Sequence, residues 1–169
     1  FITSYLILFA VGVISYQHNF WGHDPWASAR WWHAGFKESF QAIKEVEKDY
    51  DRVIISMAGE PAWIFFAGWM EYPPEKWHKG YPFESTYIDG FGGLSFIDRY
   101  YFGSPDEKGI SIYDLPKLIT EKDLYLAVAK EVSWNLIMEP DRTPIGLKLI
   151  KAIPYPSGEP AFYLFTRSQ

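Results

Sequence analysis

The chain reads as an α/β protein: a single compact domain with a mixed β-sheet flanked by helices, preceded by an apolar segment. Three observations predict this. A helical pattern ending at Lys48 passes through DYD, Asp49 to Asp51, straight into the strand pattern RVIISM, Arg52 to Met57. So short a helix–strand connection is typical of an α/β layer. Near the carboxyl terminus two strand patterns, Leu147 to Ile153 and Ala161 to Phe165, flank PYPSGEP, Pro154 to Pro160, a turn of proline and glycine. The third observation is the opening FITSYLILFAVGVISY, Phe1 to Tyr16, which carries no charge.

That run divides the chain into 1–16 and 17–169. A signal peptide would show a basic stretch before its apolar core, and the run has neither that nor an initiating Met. The expectation is the end of a truncated transmembrane helix, with residues 17–169 as an extracytoplasmic α/β domain. A full span needs about 20 apolar residues, so two alternatives stay open: a strand or helix of the domain core, and an interfacial anchor. No Lys or Arg occurs between Tyr16 and Ala29. Cytoplasmic flanks are usually rich in both, so a membrane reading puts the domain outside the cytoplasm. Tyr16, Phe20, Trp21 and Trp26 would then sit at headgroup level.

The remaining elements follow from local pattern. Asp24-Pro25 is a helix start. Trp32, Phe36, Phe40, Ile43 and Val46 recur at helical spacing, which predicts one helix to Lys48 with these residues on its buried face. Gly35 marks a kink or a close approach. Pro61 opens a short, well-buried helix, Ala62 to Met70, and Pro73-Pro74 a turn or short helix to Trp77. Gly80 to Gly93 reads as loop and Ser95 to Phe102 as an aromatic strand. Ile112 to Ile119, broken by Pro116, reads as a helical turn, and Leu124 to Val132 as a buried strand with a helical alternative.

Composition narrows the function. With 169 residues, 48% hydrophobic and 22% charged, the chain has the make-up of a globular domain. A net charge of −5 argues against a nucleic-acid partner, which calls for a basic face. The absence of cysteine excludes disulfides and thiolate metal sites. His18, His23, His33 and His78 form no close ligand motif, though His18 and His23 with Asp24 have the right donor types; no metal and no cofactor is expected in this segment. No G-x-S-x-G elbow accompanies Ser56. Glu60, after the first strand, is a candidate contact because open α/β sheets place ligands at strand ends; its bland reading is a helix cap. Glu60 with Asp89 or Asp98 has the carboxyl types of a small hydrolase. With 8 Trp, 12 Tyr and 13 Phe, the chain has rings to spare for sugar stacking. Trp31 and Trp77 are the substrate-binding candidates, while Trp32 and Trp63 read as core.

The order of motifs resembles the carboxyl-terminal extracytoplasmic tail of membrane glycosyltransferases of the GT-C type, similar to the protein O-mannosyltransferases and the lipid A aminoarabinose transferases. The matching pieces are GFKESFQAIKE (Gly35 to Glu45), YDRVIIS (Tyr50 to Ser56), GEPAWIFF (Gly59 to Phe66) and YPSGEPAFYLF (Tyr155 to Phe165). Trp77 to Lys122 departs from that pattern, and ISIYDLPKLI, Ile110 to Ile119, is not placed in it. The resemblance implies a cell-membrane enzyme that moves a sugar from a polyprenyl-phosphate carrier bound in its membrane part. Its catalytic acid belongs to a first external loop that these residues do not include, so no catalytic residue carries over. The implied role is non-catalytic, capping the membrane part and shaping acceptor access. A free-standing carbohydrate-binding or interaction module is the alternative.

Overall fold

A computed structural model describes residues 1–57, 61–80, 84–88, 92–104 and 111–168. Its centre is a seven-stranded mixed sheet in the order β2-β3-β4-β1-β5-β7-β6. The strands are β1 (Arg52–Ile55), β2 (Glu84–Ile88), β3 (Gly92–Ile97), β4 (Tyr100–Phe102), β5 (Asp123–Val128), β6 (Leu147–Pro154) and β7 (Pro160–Arg167). β4, β1 and β5 are parallel, with Val53 opposite both Tyr100 and Leu124. Antiparallel strands flank them on each side, β3 and β2 beyond β4, β7 and β6 beyond β5.

The core lies on both faces of this sheet because the central strands are apolar without interruption, as strands covered on two sides must be. Side chains alternate between faces. Val53, Ile55, Leu124, Leu126, Phe162 and Leu164 pack on one side with α3 (Phe36–Val46) and α4 (Ala62–Trp69). Ile54, Tyr125, Ala127, Tyr163 and Phe165 pack on the other with Ile112, Leu115 and Ile119. Those last residues belong to or follow a 3-10 helix, Ile112–Lys117, in which Ser111 caps the first turn by accepting from the Tyr113 amide. The connection after β1 therefore runs over one face and that after β4 over the other. The mixed sheet, its flanking helices and the closing β6–β7 hairpin agree with the sequence reading.

Several elements differ from expectation. The helix from Asp24 to Lys48 is two pieces, α2 (Asp24–Ala27) and α3, parted by an irregular segment at 28–35. Gly35 explains the break: its φ is +95°, and a Cβ there would stand 2.9 Å from Ala161 Cβ. The backbone turns left-handed where it touches β7, which only glycine does without strain. Trp32, expected on the buried face, lies ahead of that break and is 80% exposed. α4 has the expected length, but only Ala62 and Phe66 are buried, and Ile64 and Trp69 face out.

Gly80 to Gly93, read as loop, contains β2 and the start of β3; glycines at 92 and 93 did not prevent pairing with Ile88 and Tyr87. The single strand Ser95 to Phe102 is two strands, parted at Asp98, which takes φ +51°. β5 ends at Val128 and passes into a 3-10 turn, Ala129–Glu131, where the expected strand continued to Val132. α5 spans Pro74–Gly80.

The apolar run forms α1, Ile2–His18, with no buried residue. A five-residue π-helical segment, Asn19–His23, links it to α2. Apolar side chains stand on every side of α1: four consecutive residues, Leu6, Ile7, Leu8 and Phe9, are all more than half exposed. It is therefore not an element of the domain core. Among the described residues no helix is long and apolar enough to cross a membrane; α1 has 17 residues, about 25 Å of rise.

Candidate functional site

Open α/β sheets bind ligands at the carboxyl ends of their parallel strands, where successive connections leave for opposite faces. In this chain that point lies between β1 and β4. Ser56 follows β1 and Ser104 follows β4, and both are buried. Below them Tyr125 Oη donates to Glu131 Oε2 (2.6 Å), while Glu131 Oε1 accepts from the Val128 amide (2.8 Å). Burial, followed by the Glu131 charge, pushes the Tyr125 phenol well above its usual range; the Ser56 and Ser104 hydroxyls act in the opposite sense. These four polar residues close the sheet edge and give Glu131 a structural duty. Patterning did not single out this group, because Tyr125 lies inside an apolar strand and reads as core.

Along this edge lies an open cleft of about 800 Å³, at the end of β5. Arg30, Trp31, Asn135, Tyr155, Glu159 and Phe162 are among its lining. The segment 28–35 forms one wall. Its position follows from three local features: Ala29 is buried, the Ala34 amide bonds back to the Ala29 carbonyl (3.0 Å), and Gly35 lies against Ala161. The turn between β6 and β7 forms another wall. There Gly158 takes φ +87°, and the Tyr155 amide donates to the Glu159 carbonyl (2.7 Å). Arg30 joins the two walls. Its guanidinium pairs with Glu159 and lies over the Tyr155 ring, 5.5 Å from the centroid. Around the other side of Tyr155 a second cleft, about 540 Å³, is lined by Trp32, Phe65, Trp69 and Pro156.

Trp31 is thus in the large cleft, 82% exposed, with a free ring face for stacking. Trp77 is elsewhere. It packs on Trp63 at 6.1 Å and Tyr72 at 6.3 Å, half-buried against the α4 side of the core. The structure does not bring the two indoles into one cleft. Glu60 and Asp89 lie outside the described residues. Asp98 is in the β3–β4 turn at the opposite, amino-terminal edge of the parallel strands. There it accepts from Tyr72 Oη (2.7 Å) and pairs with Lys76 (3.6 Å). A smaller cleft of about 450 Å³ at that edge also holds Glu47, bonded to Tyr100 Oη (2.7 Å) and Arg99 (3.3 Å). Both carboxylates are held in structural pairs. Burial first, and these bonds second, push Tyr72 up and Tyr100 up to about 12.

His18 and His23 stand with their Nε2 atoms 3.1 Å apart. Among the described residues no group of three His, Asp or Glu side chains is arranged to hold a metal. In the large cleft Glu159 is the one carboxylate among the described lining residues, and Arg30 neutralises it. A glycosidase arrangement calls for two carboxyls across a gap. The lining brings together ring faces, the Arg30 guanidinium, the Lys130 ammonium, the His33 imidazole and the Asn135 amide, groups suited to recognition.

Comparison of the chain with protein families, with curated proteins and with solved structures finds no match.

Proposed function

We propose that the chain is the extracytoplasmic domain of a cell-membrane glycosyltransferase that uses a polyprenyl-phosphate sugar, and that it carries out no transfer itself. In this reading α1 lies in the bilayer among other apolar segments. The domain caps the membrane part, and its large cleft shapes access for the acceptor. The carrier is bound by the membrane part.

One observation carries the proposal: α1 is apolar on all sides and exposed on all sides. A helix of that kind needs an apolar surrounding, either a protein core or a membrane, and the domain core does not supply one. The cleft lies at the root of this helix, since Arg30 and Trp31 are within the segment that joins α1 and α2 to the sheet. The order of sequence motifs, from GFKESFQAIKE to YPSGEPAFYLF, supports the transferase class.

The test is to reconstitute the full chain with phospholipid vesicles and supply a polyprenyl-phosphate sugar. The expected result is co-flotation with vesicles and neither transfer nor hydrolysis. Turnover by the chain alone would overturn the non-catalytic assignment, and failure to float would overturn the membrane setting.

A carbohydrate-binding module is the second reading, favoured by the exposed Trp31 beside Arg30 and Asn135. It predicts saccharide binding by the chain without lipid, lost in Trp31→Ala.

A further inference from the structure

Four indoles in the stretch that follows α1 are exposed: Trp21 is 72% exposed, Trp26 58%, Trp31 82% and Trp32 80%. An indole is among the largest apolar surfaces a side chain can bring to an interface, and neighbouring exposed aromatics mark an interaction surface. They are not strays on a loose strand. Ala29 is buried between them, and Gly35 seats the segment against β7. The patch continues onto the folded domain, because Trp32 shares its cleft with Phe65 and Trp69 of α4.

We infer that this patch, Trp26, Trp31, Trp32 and Trp69, lies in the headgroup layer of a lipid bilayer, so that the 800 Å³ cleft opens directly onto the membrane surface. The inference rests on the membrane setting proposed for α1 and adds the orientation of the domain. Continuity argues for lipid as the occupant: exposed aromatics, Phe20 and Trp21 and then Trp26, run from the end of the all-round apolar helix to the patch, so whatever surrounds α1 reaches the indoles next. The side-chain chemistry agrees. Indole combines an apolar body with one N–H donor and concentrates at the boundary between hydrocarbon and water.

Two cations complete the pattern. Lys37 Nζ stands 5.5 Å from the Trp69 ring centroid, and Arg30 stands 5.5 Å from that of Tyr155. Such residues lay their methylene stems along apolar surface and keep the charge in the wet layer, where phosphates are. Asp24, Glu38 and Glu159 are nearby in sequence or lining, so the patch has no strong net charge. Zwitterionic lipid is therefore sufficient.

The chain has no cysteine, which permits single labels without background. Four variants of the full chain, Phe9→Cys, Trp31→Cys, Trp32→Cys and Ile145→Cys, are nitroxide-labelled and mixed with phosphatidylcholine vesicles. Collision with oxygen and with a water-soluble nickel complex then reports depth. Ile145 is the control, 96% exposed ahead of the amino end of β6 and so at the edge opposite Pro154.

The expected order is position 9 deepest, 31 and 32 shallow but shielded, with nickel access below half its lipid-free value, and 145 unchanged. A deep label at 9 with 31 and 32 as wet as 145 overturns this inference and leaves the membrane setting standing. A label at 9 that stays wet overturns both. Quenching of the unmodified chain's tryptophans by shallow brominated lipids checks the result without substitution: more quenching than by deep-brominated lipids is expected, and none overturns the inference.

Discussion

Arg52 and Asp123 sit directly opposite each other at the first paired position of β1 and β5, joined by two parallel hydrogen bonds of 2.5 Å each. The pair is unequal. The Asp123 side chain is 1% exposed and that of Arg52 30%. Asp123 also accepts from the Thr120 amide (2.7 Å) and hydroxyl (2.9 Å), so it anchors the turn that feeds the central strand. Its bonds hold the Arg52 guanidinium above its ordinary pKa.

That asymmetry predicts unequal losses. Arg52→Met strands a buried carboxylate and should cost about 3–5 kcal/mol, as breaking a buried pair does. Asp123→Asn leaves a guanidinium that water can reach and should cost about 1–2 kcal/mol. Urea unfolding of the two variants checks this, and equal losses would contradict it.

Alkali should unfold the domain through its tyrosines. Burial raises Tyr72, Tyr100, Tyr125 and Tyr163, with Tyr100 at about 12. Each is neutral in the fold below its raised value. The stability this provides is complete below the unfolded pKa of about 10 and is lost as pH rises through the folded values. Melting temperature should therefore be level with respect to these groups up to about pH 10 and fall above it. Phenolate absorbance should appear together with loss of structure. Tyr125→Phe removes the bond to Glu131 and should cost about 2 kcal/mol at neutral pH.

Gly35→Ala should be far more damaging than Gly158→Ala. Both glycines have positive φ, +95° and +87°. A Cβ at 35 would also stand 2.9 Å from Ala161 Cβ and 3.1 Å from the Phe162 ring, whereas at 158 nothing lies within 4 Å. The backbone strain alone is about 1–2 kcal/mol, and overpacking adds about 1–3 more at 35. Thermal unfolding of the two variants isolates the second contribution.

Phe66→Ala and Trp32→Ala test which aromatics hold the fold. Phe66 is fully buried, with the rings of Tyr100 at 4.6 Å and Phe102 at 5.3 Å. Its loss should cost about 3–5 kcal/mol. Trp32 in the lipid-free chain should be neutral to within about 0.5 kcal/mol. A large loss at Trp32 in denaturant titration would mean that the indole is core after all.

The limits of pattern are visible in individual residues. Trp32 stands four residues before Phe36 and has the spacing of a core position, yet Gly35 breaks the helix between them. That break answers to Ala161 and Phe162, more than a hundred residues away in sequence. β2 was hidden by the glycines around it, since its pairing with β3 decides its conformation and local propensity does not. The Ser56, Ser104, Tyr125 and Glu131 group was equally hidden: its members come from three separate segments, the ends of β1 and β4 and the passage from β5 into the turn after it.

What the sequence by itself determined is therefore the part governed by period and local chemistry: the α/β class, the apolar central strands, the proline and glycine hairpin, and an apolar opening segment without charge. Tertiary structure decided the sheet order, the two-faced core, and which of eight tryptophans are half-buried and which exposed. It brought Arg30 and Trp31 to Tyr155 and Glu159 across a cleft and took Trp77 into a stack with Trp63. The physical reason is range. Periodicity records what a residue needs from its neighbours within a few turns, and exposure is set by strands that arrive from the far end of the chain.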